Sequence, residues 1–142
     1  MELSQSVKLR APAAEVWSYV SDFYNYAEWQ PHIAAIERGE KDGERLVRMK
    51  RGNTVLDRVV ENNPQTRTFS YGLVPGQPTP PGVPKLDDML ATFVVADTGG
   101  QAEVTYKISV TVPDEIRPMA EKGIGGDISG ALQGLKDRFG EA

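Results

Sequence analysis

The sequence predicts an α+β fold: one strand, two short helices, six further strands and a long closing helix. Three observations carry this reading. Apolar residues step by three or four near the N-terminus, alternate with period two from Ile33 to Pro113, and return to three-to-four spacing after Pro113.

The first strand lies in LSQSVKLRAP, which alternates loosely until Pro12. Proline suits the first turn of a helix, because the N–H it lacks has no partner there. In APAAEVWSYVSDFYNYAEW, Val16, Trp17, Val20, Phe23 and Tyr24 recur at helical spacing, and Ser21-Asp22 offers a break and a fresh N-cap. Two short helices are expected, ending before Pro31. The stretch from Glu15 to Ile33 holds both tryptophans and the single histidine, so its aromatics either fill a core or line a compartment.

Period two places strands at 33–38, 44–51, 54–62, 67–74, 86–96 and 102–112, separated by the turn signals KDG, RGN, NNPQT and DTGG. Such short connections make consecutive strands antiparallel neighbours. PGQPTPPGVP, residues 75–84, is too long and proline-rich for a tight turn and reads as a stiff surface loop. In the last helix, 113–139, Ile116, Ala120, Ile124, Ile128, Leu132, Leu135 and Phe139 form one stripe. Gly123, Gly125, Gly126, Gly130 and Gly134 each cost about 1 kcal/mol relative to alanine there. Either the helix breaks near Gly125-Gly126 or the missing side chains leave space that the fold uses.

Composition excludes several classes of function. A chain of 142 residues with net charge -4 and 25% charged residues fits one domain with an ordinary core. Its lysines and arginines are scattered, so no nucleic-acid partner is expected. Without cysteine there are no disulfides or thiolate chemistry. The start MELSQSVKLR has no apolar signal region, and no run of about 20 apolar residues occurs. No membrane insertion and a cytoplasmic location are expected. One histidine and no cysteine imply no metal, and Asp87-Asp88 lacks calcium-loop spacing. GIGG does not follow a strand as a dinucleotide motif would, so no cofactor is implied.

Alternation also assigns faces. Val104, Tyr106, Ile108, Val110 and Val112 share one face, as do Met89, Ala91, Phe93 and Val95, then Phe69, Tyr71 and Leu73, and finally Val47 and Met49. These apolar sets point inward. Asp57 shares a parity with Val55 and Val59, but Leu56, Arg58 and Val60 are nearly as apolar, and the pattern does not choose between Asp57 and Arg58. An inward Asp57 needs a partner, and Arg45, in phase with Val47, or Tyr71 can supply one. Histidine as a residue type titrates near neutrality, yet His32 follows Pro31 with no Asp/Ser or Cys constellation beside it in sequence.

The element order, together with Pro-x-x-x-Val-Trp at 12–17, Trp29 followed by Pro31, LVRM at 46–49, DRVVENNPQTRTFSY at 57–71 and DDMLATFVV at 87–95, resembles the START-like helix-grip superfamily (SRPBCC), in its polyketide cyclase/dehydratase and lipid-transport group. The last three pieces also resemble strands of plant abscisic acid receptors. The resemblance implies a seven-stranded antiparallel sheet curled around the long helix and enclosing an apolar cavity. It puts Asp57 on the cavity side and makes Trp29 the aromatic of the opening stretch that reaches a guest. The ligand-binding candidates are then Trp29, Val47, Met49, Asp57, Tyr71, Met89, Ala91, Phe93, Tyr106, Ile108, Met119, Gly123 and Ile124. Residues 75–84 would form a lid against Met119 and Gly123. The implied function is binding or transport of a small, largely apolar ligand such as a lipid, polyketide or aromatic compound, by a monomer or homodimer. Two alternatives use the same fold: a cyclase or dehydratase in which Asp57, Tyr71 or His32 shuttles a proton, and a protein-interaction role like that of START-like chaperone ATPase activators.

Overall fold

The structure, a computed structural model, describes residues 1–79, 81 and 86–142. Its elements are β1 (Glu2–Leu9), α1 (Ala13–Val20), β2 (Ile33–Arg38), β3 (Glu44–Met49), β4 (Thr54–Asn63), β5 (Thr68–Leu73), β6 (Leu90–Asp97), β7 (Ala102–Ser109) and α2 (Arg117–Phe139). All strand pairs are antiparallel, in the spatial order β1-β7-β6-β5-β4-β3-β2. The sheet curls toward α2, which packs on β1 and β7. Sequence neighbours pair by hairpins, and only the β1–β7 pairing joins distant parts of the chain.

Alternation sets the core. In β7, Ala102, Val104, Tyr106 and Ile108 are buried while the residues between them are half-buried. In β6, Ala91, Phe93 and Val95 point inward. α1 adds Ala13, Val16 and Val20, and the segment after it adds Phe23, Tyr26 and Trp29.

Several boundaries differ from those read in the sequence. The second short helix is only a 3₁₀ turn, Tyr26–Glu28. Side chains compete with a helical ladder there: Asp22 Oδ1 accepts from the Tyr24 N–H at 3.1 Å, Asn25 Nδ2 donates to the Tyr19 carbonyl at 3.1 Å, and Tyr26 Oη donates to the Val20 carbonyl at 2.8 Å. β6 begins at Leu90 rather than 86, because Leu86–Met89 closes a turn and Asp88 accepts the Thr111 N–H at 3.0 and 3.1 Å. That same bond ends the β7 ladder before 112. A 3₁₀ turn, Asp114–Ile116, precedes α2.

α2 is continuous through Gly125-Gly126. Its glycines divide by position. A Cβ at 134 would overlap the Trp29 carbonyl oxygen, and one at 130 would come within 3.0 Å of Pro31 Cγ. These two let the Trp29–Pro31 segment lie directly on the helix. At Gly123, Gly125 and Gly126 a Cβ would meet nothing within 4 Å. Accordingly the C-terminal half of α2 buries Ile128, Ala131, Leu132 and Leu135, whereas Met119 is 69% exposed and Ile124 only half-buried.

The two glycine classes should respond oppositely to alanine. Gly126→Ala is expected to stabilise by about 0.5–1 kcal/mol, the ordinary helix-propensity gain. Gly134→Ala should cost about 1–3 kcal/mol or more through overpacking. Urea denaturation of the two variants checks this, and equal effects would contradict the close approach at Trp29.

Candidate functional site

A cavity of about 1020 Å³ lies between the N-terminal half of α2 and the concave sheet. Volumes of roughly 300–1,000 Å³ are typical of small-molecule sites, so this one has room for a polycyclic or acyl-chain guest. Its sheet side carries Val47, Met49, Val55, Asp57, Tyr71, Ala91, Tyr106 and Ile108, and α2 contributes Met119, Ala120, Gly123, Ile124 and Asp127. Met89 and Leu86 reach it from the turn before β6.

Eleven of the thirteen residues singled out for ligand contact thus line the cavity; Trp29 and Phe93 do not. Trp29 sits behind the wall, its ring 4.9 Å from that of Tyr26 and 5.7 Å from that of Phe93, and its indole N–H donates to Asn25 Oδ1 at 3.1 Å. Phe93 stacks on Tyr106 with centroids 3.9 Å apart and is fully buried. Both are core residues that hold lining residues in place. The loop 75–84 is described only in part, with residues 80 and 82–84 outside the described residues. At its start, Gln77 donates to the Leu56 and Val74 carbonyls at 2.6 and 2.7 Å and accepts the Leu56 N–H at 2.7 Å, so Gln77, Pro78 and Thr79 sit at the cavity.

The polar centre of the cavity is built on cross-strand partners. Arg45 on β3 faces Asp57 on β4 in register. Nε and Nη2 of Arg45 donate to the two Asp57 oxygens at 2.8 and 3.1 Å, and Nη1 donates to the Phe23 carbonyl. Arg45 is 1% exposed and Asp57 3%, while Arg58 faces outward. The guanidinium also lies over the rings of Phe23, Tyr26 and Tyr71, at 3.7, 4.5 and 4.9 Å. Burial opposes the Arg45 charge, but Asp57 more than compensates and holds the guanidinium above its ordinary value. Burial likewise pushes Asp57 up, and Arg45 pulls it back. The bidentate geometry marks an ionic pair.

Beside this pair, Tyr71 and Tyr106 meet hydroxyl to hydroxyl at 2.6 Å. Burial pushes both phenols up, Tyr106 well above its ordinary value, so both are neutral at physiological pH. At the mouth, His32 Nδ1 lies 3.9 Å from Asp127 Oδ1, and Arg51 Nη2 reaches Asp127 Oδ2 at 3.1 Å. Burial lowers the His32 pKa, with Asp127 acting against it. The fold therefore supplies the carboxylate that His32 lacks in sequence, across 95 positions that no local motif spans.

Gln30 is the polar residue at the cavity that sequence reasoning passes over. It is 1% exposed, and neither Nε2 nor Oε1 has a hydrogen-bond partner among the described residues. Its only sequence signal is a polar residue between Trp29 and Pro31. Among the described residues, no three His, Cys, Asp or Glu side chains are grouped to hold a metal ion, and no helix is long and apolar enough to cross a membrane.

The profile of the family described as polyketide cyclase / dehydrase and lipid transport matches residues 1–140. No curated protein matches the sequence. Among solved structures, XoxI from Bacillus cereus is similar at a TM-score of 0.81 and 22% identity, over 97% of this chain and 94% of its own. A START superfamily protein from Mycobacterium smegmatis is similar at 0.75 and 19%, over 97% and 96%. The Zhui aromatase/cyclase from Streptomyces is similar at 0.74 and 20%, over 97% and 92%. At these identities the likeness is one of fold.

Two substitutions separate the polar groups by their bonding. Asp57→Asn leaves Arg45 buried without its counter-charge and should cost about 3–5 kcal/mol, read as a lower urea midpoint. Gln30→Met removes an amide without a protein partner and should gain on the order of 1 kcal/mol. A lower melting temperature for Gln30→Met would show that the amide is satisfied after all.

Proposed function

The chain belongs to the polyketide cyclase/dehydrase and lipid transport family, and from that premise we propose that it binds a small, largely apolar molecule between α2 and the sheet. The cavity carries this reading: its volume of about 1020 Å³ lies between α2 and the concave sheet, with Val47, Met49, Ala91, Ile108 and Ile124 among its walls. Each 100 Å² of apolar ligand surface buried there contributes about 2.5 kcal/mol before the costs of association. Val47, Met49, Met89, Ile108 and Ile124 supply the apolar contact, and the Arg45–Asp57 and tyrosine pairs orient the guest.

A cyclase or dehydratase reading requires a group that exchanges a proton near neutrality. Both Asp57 oxygens are engaged by Arg45, and the phenols are raised by burial. His32 neighbours Asp127, which Arg51 engages in turn, and makes no bond to that centre. The polar groups are thus suited to positioning a ligand, and binding is the function the geometry favours.

Ile108→Trp tests the reading, because strand alternation directs the new side chain inward from β7. The apolar dye Nile red is expected to bind the parent protein and to lose about ten-fold or more in affinity with the variant. Near-ultraviolet circular dichroism and a cooperative melt establish that the variant is folded. Unchanged dye affinity in a folded variant would contradict the cavity as the binding site.

A further inference from the structure

The Tyr71–Tyr106 contact leaves one hydrogen over. Two phenol groups carry two O–H hydrogens, and the 2.6 Å bond between their oxygens uses one of them. Among the described residues neither hydroxyl has another acceptor in hydrogen-bond range. Asp57, the carboxylate of the same centre, accepts from Arg45 and makes no hydrogen bond to either phenol. Both tyrosines line the cavity, so the second hydrogen is directed to what fills it. Water serves when no guest is bound, and a guest that displaces water without replacing its acceptor leaves a buried donor unpaired.

We propose that this pair selects the ligand class: apolar ring compounds bearing a carbonyl-type oxygen, which accepts the spare Tyr71–Tyr106 hydrogen. The inference rests on the cavity being the binding site. The surroundings favour an uncharged acceptor, because Asp57 neutralises Arg45 and the centre carries no net charge to offset burial of an anion. They also favour a planar guest, since Tyr106 is already held flat against Phe93, at an interplanar angle of 17°.

The hydrogen count makes a specific demand on variants. In Tyr71→Phe or Tyr106→Phe one hydroxyl remains, with its hydrogen released from the lost partner, so a free donor survives. Only the double variant has none. The probes are 9-fluorenone and fluorene, which share a ring frame and differ by a carbonyl against a methylene, with affinities measured by equilibrium dialysis. The fluorenone-to-fluorene affinity ratio should stay near the parent value in each single variant and fall about three- to ten-fold in the double variant. Fluorene, which leaves the spare donor unpaired, should bind the double variant at least as tightly as the parent, which also reports an intact cavity. A ratio unchanged in the double variant would overturn the proposal while leaving the cavity a binding site. A full loss in either single variant would overturn the spare-hydrogen assignment. If the parent binds neither probe, the cavity reading falls with it.

Discussion

Arg45 is the residue on which the arrangement of the interior depends. Its guanidinium joins four pieces of chain: β3 itself, β4 through Asp57, the segment after α1 through the Phe23 carbonyl, and β5 through the face of Tyr71. Burying an ion pair costs several kcal/mol per ion unless its bonds are satisfied. Here the carboxylate fork takes two donors, a carbonyl takes a third, and three aromatic faces cover the cation. Two aromatics of the opening stretch thus enclose this charge: Phe23 and Tyr26 cap the guanidinium, and Trp29 packs against Tyr26.

α2 shows how a closely packed domain keeps a large hole. The Trp29–Pro31 backbone lies against Gly134 and Gly130, which draws the C-terminal half of the helix onto β1 and the N-terminal connection. The other half carries Gly123, Gly125 and Gly126, whose missing side chains are not filled by any neighbour. Anchored at one end and unfilled at the other, the helix stands over the sheet like a beam. Of these three only Gly123 lines the cavity, and its helix-propensity loss, about 1 kcal/mol, is a cost of leaving space beneath Met119 and Ile124.

Much of this was legible in the sequence, for reasons that also explain what was not. Period two recovers the seven strands and the inward face of β7, because each residue's side is set by the pleat alone. The strand ends were less legible: Asp88 caps Thr111 across 23 positions, a tertiary bond with no local pattern. Asp57 against Arg58 was open because both parities of β4 carry valine or leucine, and only the register with Arg45 separates them. Trp29 was expected at the guest because the resemblance to the helix-grip family puts the opening stretch at one end of the cavity, but its backbone lies against Gly134 of α2 and its ring packs into the core on Tyr26 and Phe93. Gln30 stood out only as a polar residue between Trp29 and Pro31, since an amide's bonding depends wholly on what the fold brings near it.

The electrostatics of the cavity bear on what such a site can discriminate. The centre is polar but neutral: one cation, one anion and two phenols kept protonated by burial. A net charge would attract any counter-ion and hold water strongly, whereas fixed dipoles of zero sum offer direction without bulk attraction. Apolar area then supplies most of the affinity and is nearly indifferent to which ring or chain is buried. Discrimination falls to the few hydrogen-bonding atoms, because a buried donor left without an acceptor costs more than a well-made bond gains. A large apolar cavity with one unspent hydrogen is accordingly tolerant of a guest's size and strict about where it places an oxygen.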